Sequence, residues 1–202
     1  MSQADLHKWD ARYSSGSYSE RRHPTALLTQ FIDEFSRGPV LDVACGAGRN
    51  ALFLAKSGFE VDAIDISTAG LDRLRADAQE RDLTIRTHEA DLEHGIPESL
   101  PLKGCYDLIV MMRYVNQPLI GPLLHRLADN GLFVSEQHLK TDQDVVGPRS
   151  EAFRLAPGEL LDAVQPLRIH FYREAIITDP DGRRAALAQI VASRGGTQLL
   201  NG

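Results

Sequence analysis

One stretch decides the fold of this chain: Val40-Leu41-Asp42-Val43-Ala44-Cys45-Gly46-Ala47-Gly48-Arg49-Asn50. It begins with a short apolar run that predicts a buried strand. Small residues and two glycines follow, and Ala51-Leu52-Phe53-Leu54-Ala55-Lys56 then has the composition of a helix. A strand, a glycine turn and a helix bring backbone N–H groups close to a ligand, and Gly46 and Gly48 lack the Cβ atoms that would hold it away. The stretch therefore predicts a site for a nucleoside-type cofactor, without saying which one.

The composition limits the class of protein. A length of 202 residues suits one domain with a core of its own, and 43% hydrophobic with 25% charged residues is the balance of a soluble globular protein. The net charge of −6 argues against nucleic acid and anionic membranes as partners. Two cysteines, Cys45 and Cys105, are too few for a disulfide framework. Without a signal peptide or a membrane-length apolar run, we expect a cytoplasmic protein with reduced thiols.

Helical and strand-like patterns alternate over the first two thirds of the chain. Strands are predicted at 40–44, 60–64, 84–89, 106–111 and 132–135, and helices at 24–36, 50–57, 68–81 and within 118–129. Such β-α alternation with short loops is typical of a parallel sheet that is covered on both faces. The predicted class is therefore α/β, with three Rossmann-like layers.

The pattern changes after residue 138. A polar loop at 139–150 and a short helix at 157–164 precede two predicted strands, 167–178 and 185–194, which the turn Asp179-Pro180-Asp181-Gly182 joins. We therefore expect an antiparallel C-terminal hairpin on a mostly parallel sheet. No second domain is visible: the prediction is a single domain, 1–202, with an arm at 1–23, a core at 24–194 and a tail at 195–202. The arm either packs on the surface or closes over a site as a lid.

Polar and small residues follow the predicted strands. In an open α/β sheet, ligands bind at the carboxyl ends of the strands, near the point where strand order reverses. Gly46 and Gly48 follow the first strand, Asp65 ends the second, and Asp91 follows the third. Asp65 is placed to accept hydrogen bonds from ribose hydroxyls, and Asp91 suits an exocyclic base amine. Arg113, Tyr114 and Asn116 follow the fourth strand, where chemistry can occur.

Two cofactor families use such an arrangement. Residues 46–51 fit the nicotinamide fingerprint G-x-G-x-x-A, and Asp65 would be its ribose acid. Four features favour the alternative: Asp42 within the strand, Cys45 before the first glycine, Asp91 as a second acid, and the terminal hairpin. The charge of Asp42 needs a partner, and the ammonium group of an amino-acid ligand would supply one.

Together these motifs resemble the class I S-adenosylmethionine-dependent methyltransferases. Residues 40–48 are similar to the first motif of that family, 61–67 to the second, 89–92 to the third and 106–110 to the fourth. The resemblance implies a seven-stranded sheet with a reversed last strand and S-adenosylmethionine as cofactor. It implies that Asp65 holds the ribose, Asp91 the adenine amine and the Asp42–Gly48 region the methionine end. The expected cofactor-binding residues are Asp42, Ala44, Gly46, Gly48, Asn50, Asp65, Ile66, Asp91 and Leu92.

A looser resemblance joins the chain to the small tellurite-resistance and thiopurine-type methyltransferases. It rests on Trp9 and Tyr13, on Cys-Gly-x-Gly-Arg-Asn at 45–50, and on Phe153-Arg154-Leu155-Ala156-Pro157-Gly158-Glu159-Leu160. It implies a small-molecule acceptor such as a thiol, selenium or tellurium compound. The chain lacks the Asn/Asp-Pro-Pro-aromatic sequence of amino-methylating nucleic-acid enzymes and a metal-ligand set. An NAD-dependent oxidoreductase and a non-catalytic cofactor-binding protein stay open as alternatives.

The acceptor site is less determined by the sequence than the cofactor site. Arg113 is the candidate for binding an anionic acceptor, and Tyr13, Tyr18 and Tyr114 are candidates for the pocket wall. His138 and Glu136 are the candidates for proton transfer. A sulfonium methyl group is already activated, so a base is needed only for a protonated acceptor. The sequence therefore assigns neither residue firmly as a catalytic base.

Overall fold

The sheet has seven strands, as predicted. The computed structural model describes residues 9–11, 13–15 and 22–195. The strands are β1 (Pro39–Val43), β2 (Glu60–Asp65), β3 (Ile85–Glu89), β4 (Tyr106–Met112), β5 (Leu127–His138), β6 (Arg168–Thr178) and β7 (Arg184–Ser193). Their order is β3-β2-β1-β4-β5-β7-β6. β1 to β5 are parallel, and β7 runs antiparallel to both β5 and β6. The prediction of a mixed sheet with a C-terminal antiparallel hairpin is confirmed.

The helices follow the predicted positions with different ends. They are α1 (Ala26–Phe31), α2 (Arg49–Lys56), α3 (Thr68–Glu80), α4 (Gln117–His125) and α5 (Glu159–Ala163). The predicted helix 24–36 is shorter, since α1 gives way to a 3-10 turn at Ile32–Glu34. A second 3-10 turn is formed by Glu151–Phe153. Residues 9–11 and 13–14 are helical as well.

Both faces of the sheet are buried. Along β4, Leu108 and Val110 join one apolar cluster with α1 and α2, whereas Ile109 and Met111 join a second cluster with α4 and α5. Successive strand residues point to opposite faces, so a continuous apolar run fills both layers. This packing produces the three-layer architecture.

β5 is much longer than the predicted strand 132–135. It begins at Leu127. Near this end Asn130 takes a left-handed backbone conformation (φ +65°), and the backbone N–H of Asn130 donates to the Arg194 carbonyl at 2.9 Å. It ends with Ser135, Glu136, Gln137 and His138, all buried despite their polarity. Polar residues resemble a loop in the sequence, but here they form hydrogen bonds inside the fold. The extension carries Glu136 and His138 to the carboxyl edge of the sheet.

Strand order reverses between β1 and β4. From β1 the chain moves outward to β2 and β3, and it then returns to place β4 and β5 on the other side of β1. This switch point leaves a crevice at the carboxyl ends of β1 and β4. Among the described residues, no helix has the length and apolar character needed to cross a membrane.

Candidate functional site

A cleft of about 900 Å³ lies at this switch point. We call one side the glycine-turn half, lined mainly from β1, β2 and the loops after β1 and β3. The other side is the hairpin half, lined from the ends of β4 and β5, from residues 146–153 and from the β6–β7 turn. The first is lined by Trp9, Tyr13, Asp42, Ala44, Cys45, Gly46, Ala47, Gly48, Arg49, Asn50, Leu52, Asp65, Ile66, Arg73, Asp77, Arg81, Ala90 and Leu92, and Arg22 also lines the cleft. The second is lined by Met112, Arg113, Tyr114, Val115, His138, Val146, Gly147, Pro148, Arg149, Ser150, Phe153 and Arg183.

The glycine turn is held in a tight conformation. Gly46 and Gly48 both have positive φ angles, +57° and +76°. A Cβ on Gly48 would lie 2.2 Å from Leu74 Cδ1, and one on Gly46 would lie 2.2 Å from the Tyr13 hydroxyl oxygen. The Gly46 N–H donates to Asp65 Oδ2 at 2.7 Å. Glycine is therefore required at both positions by conformation and by space.

Asp42 is a buried carboxylate on the wall of the cleft. Its side chain is only 1% exposed, and its Oδ2 has no hydrogen-bond partner among the described residues. Burial and the negative charge of Asp65 raise the pKa of Asp42 to about 7, although Arg49 and the Ala51 N–H favour the charged form. An unpaired buried acceptor is costly, so this oxygen is a site for a cationic or N–H group of a ligand.

Asp65 lies at the end of β2, as predicted, and already supports the turn. Its Oδ1 accepts the Ser67 N–H at 2.9 Å, while Oδ2 accepts the Gly46 N–H. Burial raises the pKa of Asp65, an effect that these backbone donors oppose. A carboxylate offers about four acceptor sites, so two sites stay available for ligand hydroxyls.

The other expected cofactor residues divide into two groups. Ala44, Ile66 and Leu92 line the cleft. The Asn50 side chain lines it too, but Oδ1 accepts from the Thr25 backbone N–H at 2.9 Å and the Thr25 hydroxyl at 3.1 Å, so it also fastens the start of α1. Asp91 is not among the lining residues, unlike Ala90 and Leu92; its Oδ1 accepts the Glu93 N–H at 2.9 Å. Its predicted contact with adenine stays a prediction.

Cys45 is not suited to act as a nucleophile. Burial, Asp65 and Asp42 raise the pKa of the Cys45 thiol well above its ordinary value of 9.0. The thiol is therefore protonated near neutral pH.

The described part of the N-terminal arm at 9–11 and 13–15 lies beside the glycine turn. The Tyr13 ring stacks on Trp9 with centroids 6.2 Å apart, and both residues line the cleft. Asp10 Oδ1 accepts the Ser67 hydroxyl at 2.5 Å and the Ala69 N–H at 3.3 Å, which ties the arm to the start of α3. Tyr13 thus belongs to the glycine-turn half rather than to the acceptor wall. Tyr18 and the other arm residues at 1–8, 12 and 16–21 lie outside the described residues.

Arg113 was predicted to bind an anionic acceptor, and the structure gives its guanidinium other partners. Nη1 and Nη2 donate to Asp179 at 2.8 and 2.6 Å, and Nε donates to Glu136 Oε1 at 2.8 Å. Burial lowers the pKa of Arg113, but the two carboxylates outweigh burial and raise it. With its donors engaged and its side chain 10% exposed, Arg113 is part of an internal ion-pair network.

Glu136 was a candidate for proton transfer, and the structure places it beneath the cleft rather than on its wall. It is 1% exposed and does not line the cleft; its Oε2 accepts the Gln189 amide N–H at 2.6 Å. His138, the other candidate, is 7% exposed and lines the hairpin half. No group of His, Cys, Asp and Glu side chains suited to a metal was found among the described residues.

Tyr114 lies on the wall, and its hydroxyl is part of a small network. It donates to Glu93 Oε1 at 3.1 Å and accepts from Asn116 Nδ2 at 3.3 Å, while Asn116 Nδ2 also donates to the Leu92 carbonyl at 3.1 Å. These contacts fix the loop after β4 against the loop after β3. Tyr114 can therefore separate the two halves of the cleft.

The comparisons with known proteins agree with this geometry. Residues 40–130 match a family described as a methyltransferase domain. That range holds the glycine turn, Asp42, Asp65 and the β4 loop. Residues 40–130 therefore carry a methyltransferase domain. The motifs indicated S-adenosylmethionine, and a curated protein that the chain resembles is described as dependent on the same cofactor.

Among curated proteins, the methyltransferase domain is similar to the probable S-adenosyl-L-methionine-dependent methyltransferase TehB of Haemophilus influenzae, with 24% identity over 83% of this chain and 61% of that protein. It is 27% identical to a ubiquinone biosynthesis O-methyltransferase of Rickettsia canadensis, over 53% of this chain and 45% of that protein. The chain thus spans about half the length of such relatives.

Among solved structures, TehB from Haemophilus influenzae aligns with a TM-score of 0.70 at 24% identity, covering 89% of this chain and 66% of that one. A geranyl diphosphate C-methyltransferase from Streptomyces coelicolor, in complex with S-adenosyl-L-homocysteine, aligns at 0.64 with 17% identity over 84% and 80% of the two chains. These likenesses establish the fold.

The cleft has wall residues for which the sequence predicted no role: Arg149, Phe153 and Arg183 all line the hairpin half. Phe153 begins the stretch on which the looser resemblance rests, but it was not expected in the acceptor site. Arg149 lies in the predicted polar loop 139–150, and Phe153 lies just after it. An apolar residue such as Val146 within that loop was the available signal.

Proposed function

We propose that this protein transfers a methyl group from S-adenosylmethionine to a small-molecule acceptor, such as a thiol, selenium or tellurium compound, in the cytoplasm. One observation carries the proposal: the buried, unpartnered Oδ2 of Asp42 on the cleft wall, beside a glycine turn and Asp65. A ligand with an ammonium group and ribose hydroxyls would satisfy both acids. This combination favours an amino-acid-bearing nucleoside over a nicotinamide dinucleotide.

The residues present fit the cofactor. Asp42 would accept from its ammonium group, Asp65 would accept from its ribose hydroxyls, and the wall at Ile66 and Leu92 would contact the base. The turn would let the cofactor approach the backbone closely, because Gly46 and Gly48 have no side chain that would hold it away. When bound, the sulfonium supplies an activated methyl group for in-line displacement.

The chain itself has three tasks in such a reaction. The wall residues orient the acceptor, and Met112 and Tyr114 exclude water between the two halves of the cleft. We assign proton removal from a protonated acceptor to His138, because its imidazole is the side chain on the hairpin wall that can accept a proton near neutral pH. An acceptor that is already anionic needs no base.

Calorimetric titration with S-adenosylhomocysteine and, separately, with NADH tests the cofactor assignment. We expect binding of S-adenosylhomocysteine and none of NADH. Binding of NADH alone would support an oxidoreductase and overturn the proposal.

Activity is tested with S-adenosylmethionine labelled in its methyl group and a panel of thiol, selenium, tellurium and oxygen acceptors. His138→Gln should lower kcat for protonated acceptors and spare acceptors that are ionised at the assay pH. Cofactor binding without a methylated product across the panel would indicate a binding protein instead.

A further inference from the structure

The two halves of the cleft differ in their acidic residues. The lining carboxylates, Asp42, Asp65 and Asp77, belong to β1, β2 and α3 on the glycine-turn side, where the lining residues Arg49, Arg73 and Arg81 offset their charge. No carboxylate is found among the described residues that line the hairpin half, although the whole chain has 28 acidic and 22 basic residues. The hairpin half is therefore electropositive within an acidic protein.

On the hairpin half, the available positive charge lies on Arg183 and Arg149. Arg113 is neutralised by Asp179 and Glu136, so its guanidinium is not available for a ligand. Arg183 has a single nearby acid, with Nε at 3.7 Å from Asp181 Oδ2, and its side chain is 44% exposed. Such a long, exposed contact is weak. Arg149 forms no hydrogen bond or ion pair in the described part of the chain.

The loop that carries Arg149 is fastened next to Arg183. The Val146 N–H donates to the Arg184 carbonyl at 2.8 Å. Arg154 braces the loop from within, since Nε donates to the Pro148 carbonyl and Nη1 to the Leu139 carbonyl, both at 2.8 Å. These bonds keep both arginines on one wall of the cleft.

The same wall exposes apolar surface. Val146 and Phe153 are the large hydrophobic side chains that the described chain leaves exposed, at 37% and 49%, and both line the hairpin half. Apolar side chains with a few convergent polar groups are typical of a small-molecule site. Elsewhere in the described chain, large apolar residues are buried or half-buried.

We infer that the acceptor is an organic acid with an apolar, aromatic body. Its carboxylate is bound by Arg183 and Arg149, because guanidinium groups pair with carboxylates in a bidentate geometry. Its body lies against Phe153 and Val146. The inference rests on the proposed function, since it names the acceptor class for the same cleft.

The test compares 4-(methylthio)benzoate with 4-(methylthio)benzamide, which have the same shape and differ in charge. Each is titrated calorimetrically into protein saturated with S-adenosylhomocysteine, so no turnover is needed. We expect the acid to bind about tenfold more tightly than the amide, because one partly exposed charge-assisted hydrogen bond changes an affinity by about that factor. This difference in affinity should shrink as the salt concentration is raised from about 0.05 to about 0.5 M, because salt screens the attraction between the carboxylate and the arginines.

Three variants locate the effect. Arg183→Gln should remove most of the acid–amide difference, and Phe153→Ala should weaken both ligands equally. Arg184→Gln is the matched control, because this neighbouring exposed arginine does not line the cleft, and the difference should persist there.

Each outcome has a distinct meaning. Equal binding of acid and amide, or binding of neither, with S-adenosylhomocysteine still bound, would overturn the acceptor class and leave the proposed function intact. Competition by selenite without any benzoate binding would overturn the organic body of the acceptor. Failure of S-adenosylhomocysteine itself to bind would overturn the proposed function and this inference with it.

Discussion

Arg113 and Asp179 form a two-pronged ion pair between positions 66 residues apart in the sequence, with N–O distances of 2.8 and 2.6 Å. The pair connects the carboxyl end of β4 to the β6–β7 turn. Through Glu136 the network continues to Gln189 on β7, and Gln189 Oε1 accepts from Arg173 Nη2 at 2.9 Å on β6. One chain of contacts therefore joins the four strands beneath the hairpin half of the cleft.

Arg113→Ala should destabilise the whole fold rather than acceptor binding alone. The change leaves Glu136 and Asp179 as buried carboxylates without their cation, and breaking a buried pair in this way costs about 3–5 kcal/mol. Urea unfolding measures the loss. Arg184→Ala, an exposed arginine on the same hairpin, should change stability by less than about 0.5 kcal/mol.

A second substitution separates the ion pair from simple loss of packing. In Arg113→Ala/Asp179→Asn the charge of Asp179 is removed as well, and Glu136 is the one carboxylate left without the Arg113 cation, so part of the lost stability should return. Additive effects of the two changes would contradict the coupling. Unchanged stability with a raised acceptor KM would instead support the role that the sequence predicted for Arg113.

Asp65→Ala should weaken S-adenosylhomocysteine binding by about 1.5–3 kcal/mol, which is the range for hydrogen bonds to a charged group. The variant also removes the acceptor for the Gly46 N–H, so the turn loses support. Calorimetry gives the affinity, and Glu89→Ala is the control because Glu89 ends the adjacent strand but does not line the cleft. Affinity equal to that of the unaltered protein would place the ribose elsewhere.

The fold was predictable because local patterns were consistent with one another. Apolar runs such as 106–111 had to be buried on both faces, and the Asp179–Gly182 turn required a hairpin. β5 was predicted too short because Glu136 and Gln137 are polar. Their burial depends on partners such as Gln189 and Met111, which only the folded chain brings near.

The candidate site was predictable only where it is local in sequence. Asp42, Gly46 and Gly48 occur within one motif, and the chemistry of aspartate and glycine limits the roles that these residues can have in a site. Arg183 and Phe153 line the same half of the cleft because β5 pairs with β7 and the 146–153 segment is fastened to Arg184, so no spacing in the sequence links them. The ion-pair partners of Arg113 could not be predicted for the same reason, since Asp179 is far along the chain.

Gly46→Ala should be tolerated better when Tyr13 is also replaced. A Cβ at residue 46 would lie 2.2 Å from the Tyr13 hydroxyl oxygen and 3.0 Å from Cζ, so the arm must move away. We expect Gly46→Ala to increase cleavage within the arm by a protease at limiting concentration. It should also weaken S-adenosylhomocysteine binding.

The double variant Gly46→Ala/Tyr13→Ala tests that steric cause. It should bind S-adenosylhomocysteine better than Gly46→Ala alone, although the positive φ of +57° still disfavours alanine. Gly58→Ala is the control, because φ is +90° there and a Cβ would meet nothing within 4 Å. Identical affinities of the single and double variants would show that Tyr13 is not the obstacle.

Asp42→Asn should stabilise the free protein at high pH. Because the folded-state pKa of Asp42 is raised from 3.8 to about 7, its contribution to stability is fully present below about pH 4 and is lost as pH rises through 7. Asparagine has no charge to bury. At pH 8, urea unfolding should therefore give the variant a higher free energy of unfolding than the unaltered protein, and this difference should be smaller at pH 5.

The same acid should make cofactor affinity depend on pH. Below pH 7 the free protein holds a proton on Asp42 that an ammonium-bearing ligand must displace, so S-adenosylhomocysteine should bind more tightly as pH rises from about 5.5 to 7. Up to about tenfold per pH unit is expected where one proton is released. Asp42→Asn should bind weakly with a flat profile over this range, whereas Glu89→Ala should keep the slope. A slope that persists in Asp42→Asn would assign the released proton to another group, with Asp65 the next carboxyl whose pKa burial raises.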